Sequence, residues 1–389
     1  NVVAQACRAN QGSAATALPA ALPFELVNRH IMLPVTINAR KLWFVLDTGN
    51  KYAVVGLRRA RELGLKQGQA IPVRGEGADV AGSFIKDATY TIPGLPGFSQ
   101  PINLAIPLDN LAPRLGHDFD GILGSDFIEM FVVEVDYQAR ILRLHDPKTF
   151  KYSGTGASIP IKINGSGHPV FKAEVTPVGR SPIKGDFVLD IGSGSALNLR
   201  SPFVKENNLP GPAVKTVETI GSGGAGGDVT GRTGRVASFR IGRFTISRPF
   251  TFFSADAAGA NARQGIAGSI GEPITSKFKL FLDYSHERII LEPNATFPAP
   301  FDHASAGMLF EAEGKDYRTY RVKQLLKDGP AELAGLKLGD VILSIDDRTA
   351  SELTFTQILE LFERPVSYRL KVQRAGAVVE IVLKPERMI

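Results

Sequence analysis

Apolar and polar positions alternate over short spans along most of this chain, the period-2 pattern of half-buried strands. His30-Ile31-Met32-Leu33-Pro34-Val35-Thr36-Ile37-Asn38 reads as a strand. Asn38-Ala39-Arg40 turns it, and Lys41-Leu42-Trp43-Phe44-Val45-Leu46 returns as its hairpin partner. Further strands are expected at 71–73, 83–92 and 102–106, with a closing hairpin of 131–137 and 141–144. Helical signals are brief: 57–63, stopped by Gly64, and 125–130. From residue 170 the plan repeats, with strands at 170–175 and 185–189, a helix from 201 toward 207, strands at 234–241 and 244–246, and a closing hairpin of 280–284 and 288–291.

The repeat extends to particular residues. Phe44-Val45-Leu46-Asp47-Thr48-Gly49 returns as Phe187-Val188-Leu189-Asp190-Ile191-Gly192-Ser193. Each copy has a glycine-bounded companion downstream, Gly121-Ile122-Leu123-Gly124 and Gly265-Ile266-Ala267-Gly268. Asp47 lies 77 residues before Gly124, and Asp190 lies 78 before Gly268. Val133-Glu134-Val135-Asp136-Tyr137 and Leu280-Phe281-Leu282-Asp283-Tyr284 close the two halves alike. The pattern predicts an internal duplication over 27–150 and 151–295, each half contributing one aspartate to a shared site. Pro293, Pro298 and Pro300 mark a linker, and residues 296–389 form a domain of different character. Residues 1–26, rich in Ala and Ser without periodicity, read as a flexible tail.

Composition narrows the class. The 40 Gly and 25 Pro, with many Val, Ile, Thr and Phe, indicate a mainly β protein rich in turns. The net charge of +6 is spread over scattered Lys and Arg with no run of five, which argues against a nucleic-acid partner. A single cysteine, Cys7, excludes an internal disulfide and any cysteine-based metal site. No apolar run approaches the ~18 residues of a membrane span. Ala4-Gln5-Ala6 has the form of a secretory cleavage site, so export is expected, with Cys7 as a possible lipid anchor.

Paired aspartates suit hydrolysis. Two carboxyl groups about 3 Å apart cannot both ionise, so one acts as base while its partner keeps a proton to give. Such a pair needs each Asp at a strand end, a glycine beside it so that two backbones can approach, and a hydroxyl to bind across the junction. Asp47-Thr48-Gly49 has all three. Asp190-Ile191-Gly192 lacks the hydroxyl, though Ser193 follows it. These motifs resemble the pepsin and retropepsin aspartic proteases over residues 27–295. The resemblance implies two duplicated β lobes, a catalytic pair of Asp47 and Asp190, support from Thr48, Gly49, Gly192 and Ser193, and a peptide or protein substrate in the cleft between lobes. It implies no metal or cofactor, and the chain is expected to be a monomer. Hairpins at the places of Gly75 and Gly77, and of Gly223 and Gly224, correspond to the family's mobile flaps. The family carries Thr where Ile191 stands, which leaves two readings open: an active endopeptidase, or a peptide-binding protein of the same fold.

The final domain resembles a PDZ domain over 303–386. The carrying residues are Gly329-Pro330-Ala331, Ala334-Gly335-Leu336, Gly339-Asp340-Val341-Ile342-Leu343 and the capping box that starts at Thr354. PDZ domains add a peptide strand to a sheet edge and hold its C-terminal carboxylate in backbone amides. Gly307-Met308-Leu309-Phe310 is the candidate carboxylate loop, with Ile358 and Phe362 lining the groove. A C-terminal peptide ligand is expected there.

Overall fold

A computed structural model describes residues 18–75, 79–218 and 223–389. Cys7 and Gly77 lie outside the described residues.

The predicted first hairpin forms from His30–Ile37 and Arg40–Leu46, with Met32 opposite Val45. Its turn holds Asn38 and Ala39 at φ 49° and 60°, the doubly positive backbone that matches the twist of a hairpin. Arg40–Leu46 then pairs in parallel with Gly121–Leu123, which puts Phe44 opposite Gly121 and Leu46 opposite Leu123. Gly121–Leu123 also pairs antiparallel with Val54–Gly56. The segment threads between two strands, and a methyl on Gly121 would stand 2.4 Å from both the Phe44 ring and the Val54 carbonyl. Only a bare Cα fits there.

Around Asp190 the strands pair in the same senses. Pro169–Thr176 and Ile183–Leu189 form a hairpin. Ile183–Leu189 lies parallel to Gly268–Ile270, with Phe187 opposite Gly268 and Leu189 opposite Ile270. Leu197–Leu199 flanks that segment antiparallel. This corrects the crossing segment expected at Gly265–Gly268, since the strand is Gly268–Ile270 and ends at Gly271. Gly265, at φ 84° with open space around it, belongs to the turn before. Ser269 in the middle interrupts the apolar pattern that a sequence search follows.

A third sheet joins the halves. Its order is Ala20–Pro23, Ile141–His145, Val132–Asp136, Phe278–Asp283, Arg288–Pro293 and Ala157–Pro160. The central contact pairs Val133 with Leu282 and Val135 with Leu280, and all four side chains are buried. Ala20–Pro23 also corrects the tail expected through residue 26. Ala20, Leu22 and Phe24 are buried while Ala21 and Pro23 are exposed. That alternation is short and hides in an alanine-rich stretch.

The last domain has its own core around Phe310, Tyr320, Phe355, Ile358 and Leu370. Its sheet runs Met308–Glu313, Thr319–Leu325, Val341–Ile345, Tyr368–Arg374 and Ala377–Leu383, so Met308–Glu313 is an edge. Helix Phe355–Phe362 carries the predicted capping box. The Gln357 N–H donates to Thr354 Oγ1 at 3.1 Å, and the Thr354 N–H donates to Gln357 Oε1 at 2.8 Å.

Candidate active site

Each aspartate leaves its strand on the same hydrogen bond. The Asp47 N–H donates to the Leu123 carbonyl and the Asp190 N–H to the Ile270 carbonyl, both at 2.9 Å. The turns that follow bring the two side chains together. A methyl on Gly49 would stand 2.9 Å from Asp190 Oδ1, and one on Gly192 would stand 2.4 Å from Asp47 Cγ. Each carboxyl group therefore rests against the other half's glycine, at a closeness that no larger residue permits. Burial raises the Asp47 pKa, partly offset by the Gly49 N–H, which donates to Oδ1 at 2.7 Å, and by Asp190.

Thr48 is fully buried at this junction. Its hydroxyl donates to the Leu189 carbonyl at 2.7 Å and accepts from the Ile191 N–H at 3.0 Å. Ile191, equally buried, has no hydroxyl to return the contact. Ser193 Oγ accepts from the Ser195 N–H at 3.2 Å, a bond within its own turn. A further cross-link lies behind the site, where the Tyr137 and Thr275 hydroxyls are 3.0 Å apart.

Asp47 and Asp190 line a cavity of about 1240 Å³. Gly75, at the tip of the Lys66–Arg74 and Asp79–Lys86 hairpin, is on its wall. So are Gly223 and Gly224, in the loop between Val217–Glu218 and Gly231–Arg235. Beyond them Ala225 packs on the first half's apolar cluster, and Asp228 meets Arg114 at 2.8 Å. The second loop thus reaches across to the first half.

The last domain borders the same cavity. Met308, Leu309, Phe310 and Phe362 are on the wall, and Gly307, at φ 67°, turns the chain into the edge strand. The Phe310 and Phe355 rings pack at a tilt of 45°, with centroids 4.7 Å apart. Ile358 does not line the groove: it is fully buried in the domain core, and Leu359, one step round the helix, takes the wall position. His30, His168 and His303, far apart in sequence, also line this cavity. Their spacing carries no signal, because the fold alone gathers them.

Residues 33–127 match the family model described as aspartyl protease, and residues 321–374 match that of the PDZ domain. An aspartyl-protease-like region is followed by a PDZ domain. No curated protein matches the chain. The protease match contains Asp47-Thr48-Gly49 and Gly121–Gly124 and stops before Asp190. The PDZ match starts after Gly307–Phe310, so the proposed carboxylate loop rests on its place at the sheet edge.

Proposed function

We propose that this protein is an aspartic endopeptidase made of two related halves, with Asp47 and Asp190 sharing one water in the cleft between them. The observation that carries this reading is the mutual seating of each carboxyl group on the other half's glycine. One carboxylate takes a proton from the water, whose oxygen attacks the peptide carbonyl carbon. The other carboxyl group, kept protonated by its neighbour's charge, hydrogen-bonds the carbonyl oxygen. Collapse of the tetrahedral intermediate breaks the C–N bond, and the proton taken from the water passes to the leaving nitrogen. The PDZ domain binds the C-terminus of a substrate or regulator along its Met308–Glu313 edge strand, displacing the Ala112–Leu115 helix that packs there. The Ala4-Gln5-Ala6 motif supports export of the chain.

A peptide library digested between pH 3 and 8 tests the enzyme reading. Asp47→Asn and Asp190→Asn should each reduce kcat by about 10³-fold or more. Cleavage that survives either change removes the shared-water mechanism. Ile191 favours one alternative, a protein that binds peptides in the cleft without cutting them. Calorimetric binding of library peptides with no cleavage at any pH would select it.

A further inference from the structure

The two halves pave their sides of the cleft differently. In the first half a row of residues crosses the sheet through the strand that leads to Asp47. Met32, Val45, Ile122, Val54 and Leu104 stand opposite one another in turn. All five are apolar and buried in one cluster with Leu115 and Phe119, and of the row only Val45 and Ile122 reach the cavity. The corresponding row of the second half starts on the strand that leads to Asp190. It runs Val188, Ser269, Asn198, Phe252, Thr233 and Val217. All six line the cavity. Ser269 thus takes the place of Ile122, and Asn198 the place of Val54.

Cations stand beside this second row. Arg200 follows Asn198 by two residues with its backbone still extended, at φ −71° and ψ 149°. That spacing returns a side chain to the same face. The turn Ala260–Ala262 is tied to the row by Asn198 Nδ2, which donates to Asn261 Oδ1 at 3.0 Å, and Asn261 Nδ2 donates in turn to Asp256 Oδ2 at 2.9 Å. Arg263 leaves this turn. Arg200 and Arg263 are both half-buried and both line the cavity. Arg263 has no ion pair among the described residues. The glutamates on the cavity wall are placed elsewhere. Glu363 is paired with Arg29 at 2.5 Å, and Glu360 and Glu386 belong to the last domain. Glu272 opens the short helix after Gly271, and Glu218 is on the edge strand, separated from Leu197–Leu199 by two others.

A guanidinium in a cleft matches a carboxylate, which its planar fork binds through two parallel hydrogen bonds. We propose that Arg200 and Arg263, over the polar floor that Ser269 interrupts, form a subsite for an acidic side chain, Asp or Glu, of the peptide in the Asp190 half of the cleft. The Asp47 half, walled by Val45, Ile106, Leu115, Phe119 and Ile122, takes an apolar side chain. Ser269 gains a role from this. An apolar residue in its place, as in the first half, would face the incoming carboxylate with nothing to hydrogen-bond it. The selection of cleaved peptides rests on reading Asp47 and Asp190 as the catalytic pair.

The test uses peptides of one apolar parent sequence that carry Glu, Gln, Leu or Lys at each position in turn. Cleavage by the full chain is followed, and binding to its Asp47→Asn variant is measured by calorimetry. At one position Glu should exceed Gln in kcat/KM by about 10- to 100-fold, the worth of a hydrogen bond to a charged group. Arg263→Gln and Arg200→Gln should each bring that ratio toward one, and Arg263→Glu should turn the preference toward Lys. Reading a ratio of two substrates on one variant removes any loss of folded protein from the comparison. Absence of a Glu preference at every position, or a Glu-to-Gln ratio that both Arg→Gln variants leave unchanged, overturns the proposal. Glu peptides that bind more tightly than Gln peptides through Arg263, to a protein that cuts none of them, keep the subsite and refute the protease reading instead.

Discussion

Asp126 lies in the first turn of the short helix Ser125–Ile128, and its carboxylate accepts from the Ala53 and Phe127 N–H groups at 2.8 Å each. Burial outweighs these bonds and raises its pKa to about 6. The folded protein therefore holds this proton more tightly than the unfolded chain, whose carboxyl group titrates near 3.8. The resulting stability is complete below pH ~4 and is lost as pH rises through ~6, a change of about 3 kcal/mol. Asp126→Asn keeps an acceptor for Ala53 and should flatten urea-unfolding stability between pH 4 and 6.5. An unchanged slope would assign that pH dependence to other groups. At this scale the sequence was readable where chemistry restricts residue type. Asp47-Thr48-Gly49 combines three types that a paired-carboxyl site needs together. The gathering of His30, His168 and His303 on one cavity was not readable, because only the fold brings them together. Ile358 was misassigned because the capping box locates the start of a helix without fixing which side faces the groove.

Elements were legible where alternation was long. The 30–46 hairpin, the capped helix from Thr354 and the closing hairpins followed directly from their patterns. The second crossing strand was missed by three residues, since two glycines three apart both fitted and only tertiary packing separates them. Substitution distinguishes them. A methyl on Gly268 would stand 2.0 Å from the Asn198 carbonyl, whereas one on Gly265 meets nothing within 4 Å. Gly265→Ala should cost about 1–2 kcal/mol from its left-handed backbone alone. Gly268→Ala should cost well over about 3 kcal/mol, because a backbone has to move. Comparable melting temperatures for the two variants would mean that the strand slips readily in register.

At the scale of the whole molecule, Arg114 connects three parts. From the Ala112–Leu115 helix its Nη2 reaches Asp228 in the loop of the second half, and its Nε reaches Glu311 on the PDZ edge strand at 3.4 Å. Its carbonyl accepts from Asn28 Nδ2 at 3.1 Å, and the Asn28 N–H donates to Thr356 Oγ1 at 3.1 Å. Each ion pair is worth no more than about 1 kcal/mol at this exposure, so the effect to look for is local. Arg114→Ala should speed amide exchange in both 223–235 and 308–313. Arg58→Ala, which removes an exposed pair with Asp109, should speed neither. Exchange that rises in only one segment would show that the two contacts are independent. None of this could be read beforehand, because ion pairs between separate domains leave no period in a sequence.

The sheet that joins the halves has a consequence for how the protein can be taken apart. Three of its strands come from before residue 146 and three from after residue 156, and Lys148, Thr149, Lys151, Ser153, Gly154 and Thr155 in the connection are exposed. A protease that nicks this connection would break one covalent bond and leave the ladder between Val133–Val135 and Leu280–Leu282 intact. Fragments 1–150 and 151–389, expressed separately, should find each other by complementation and copurify. Changing Val135 and Leu280 to Asp should keep them apart.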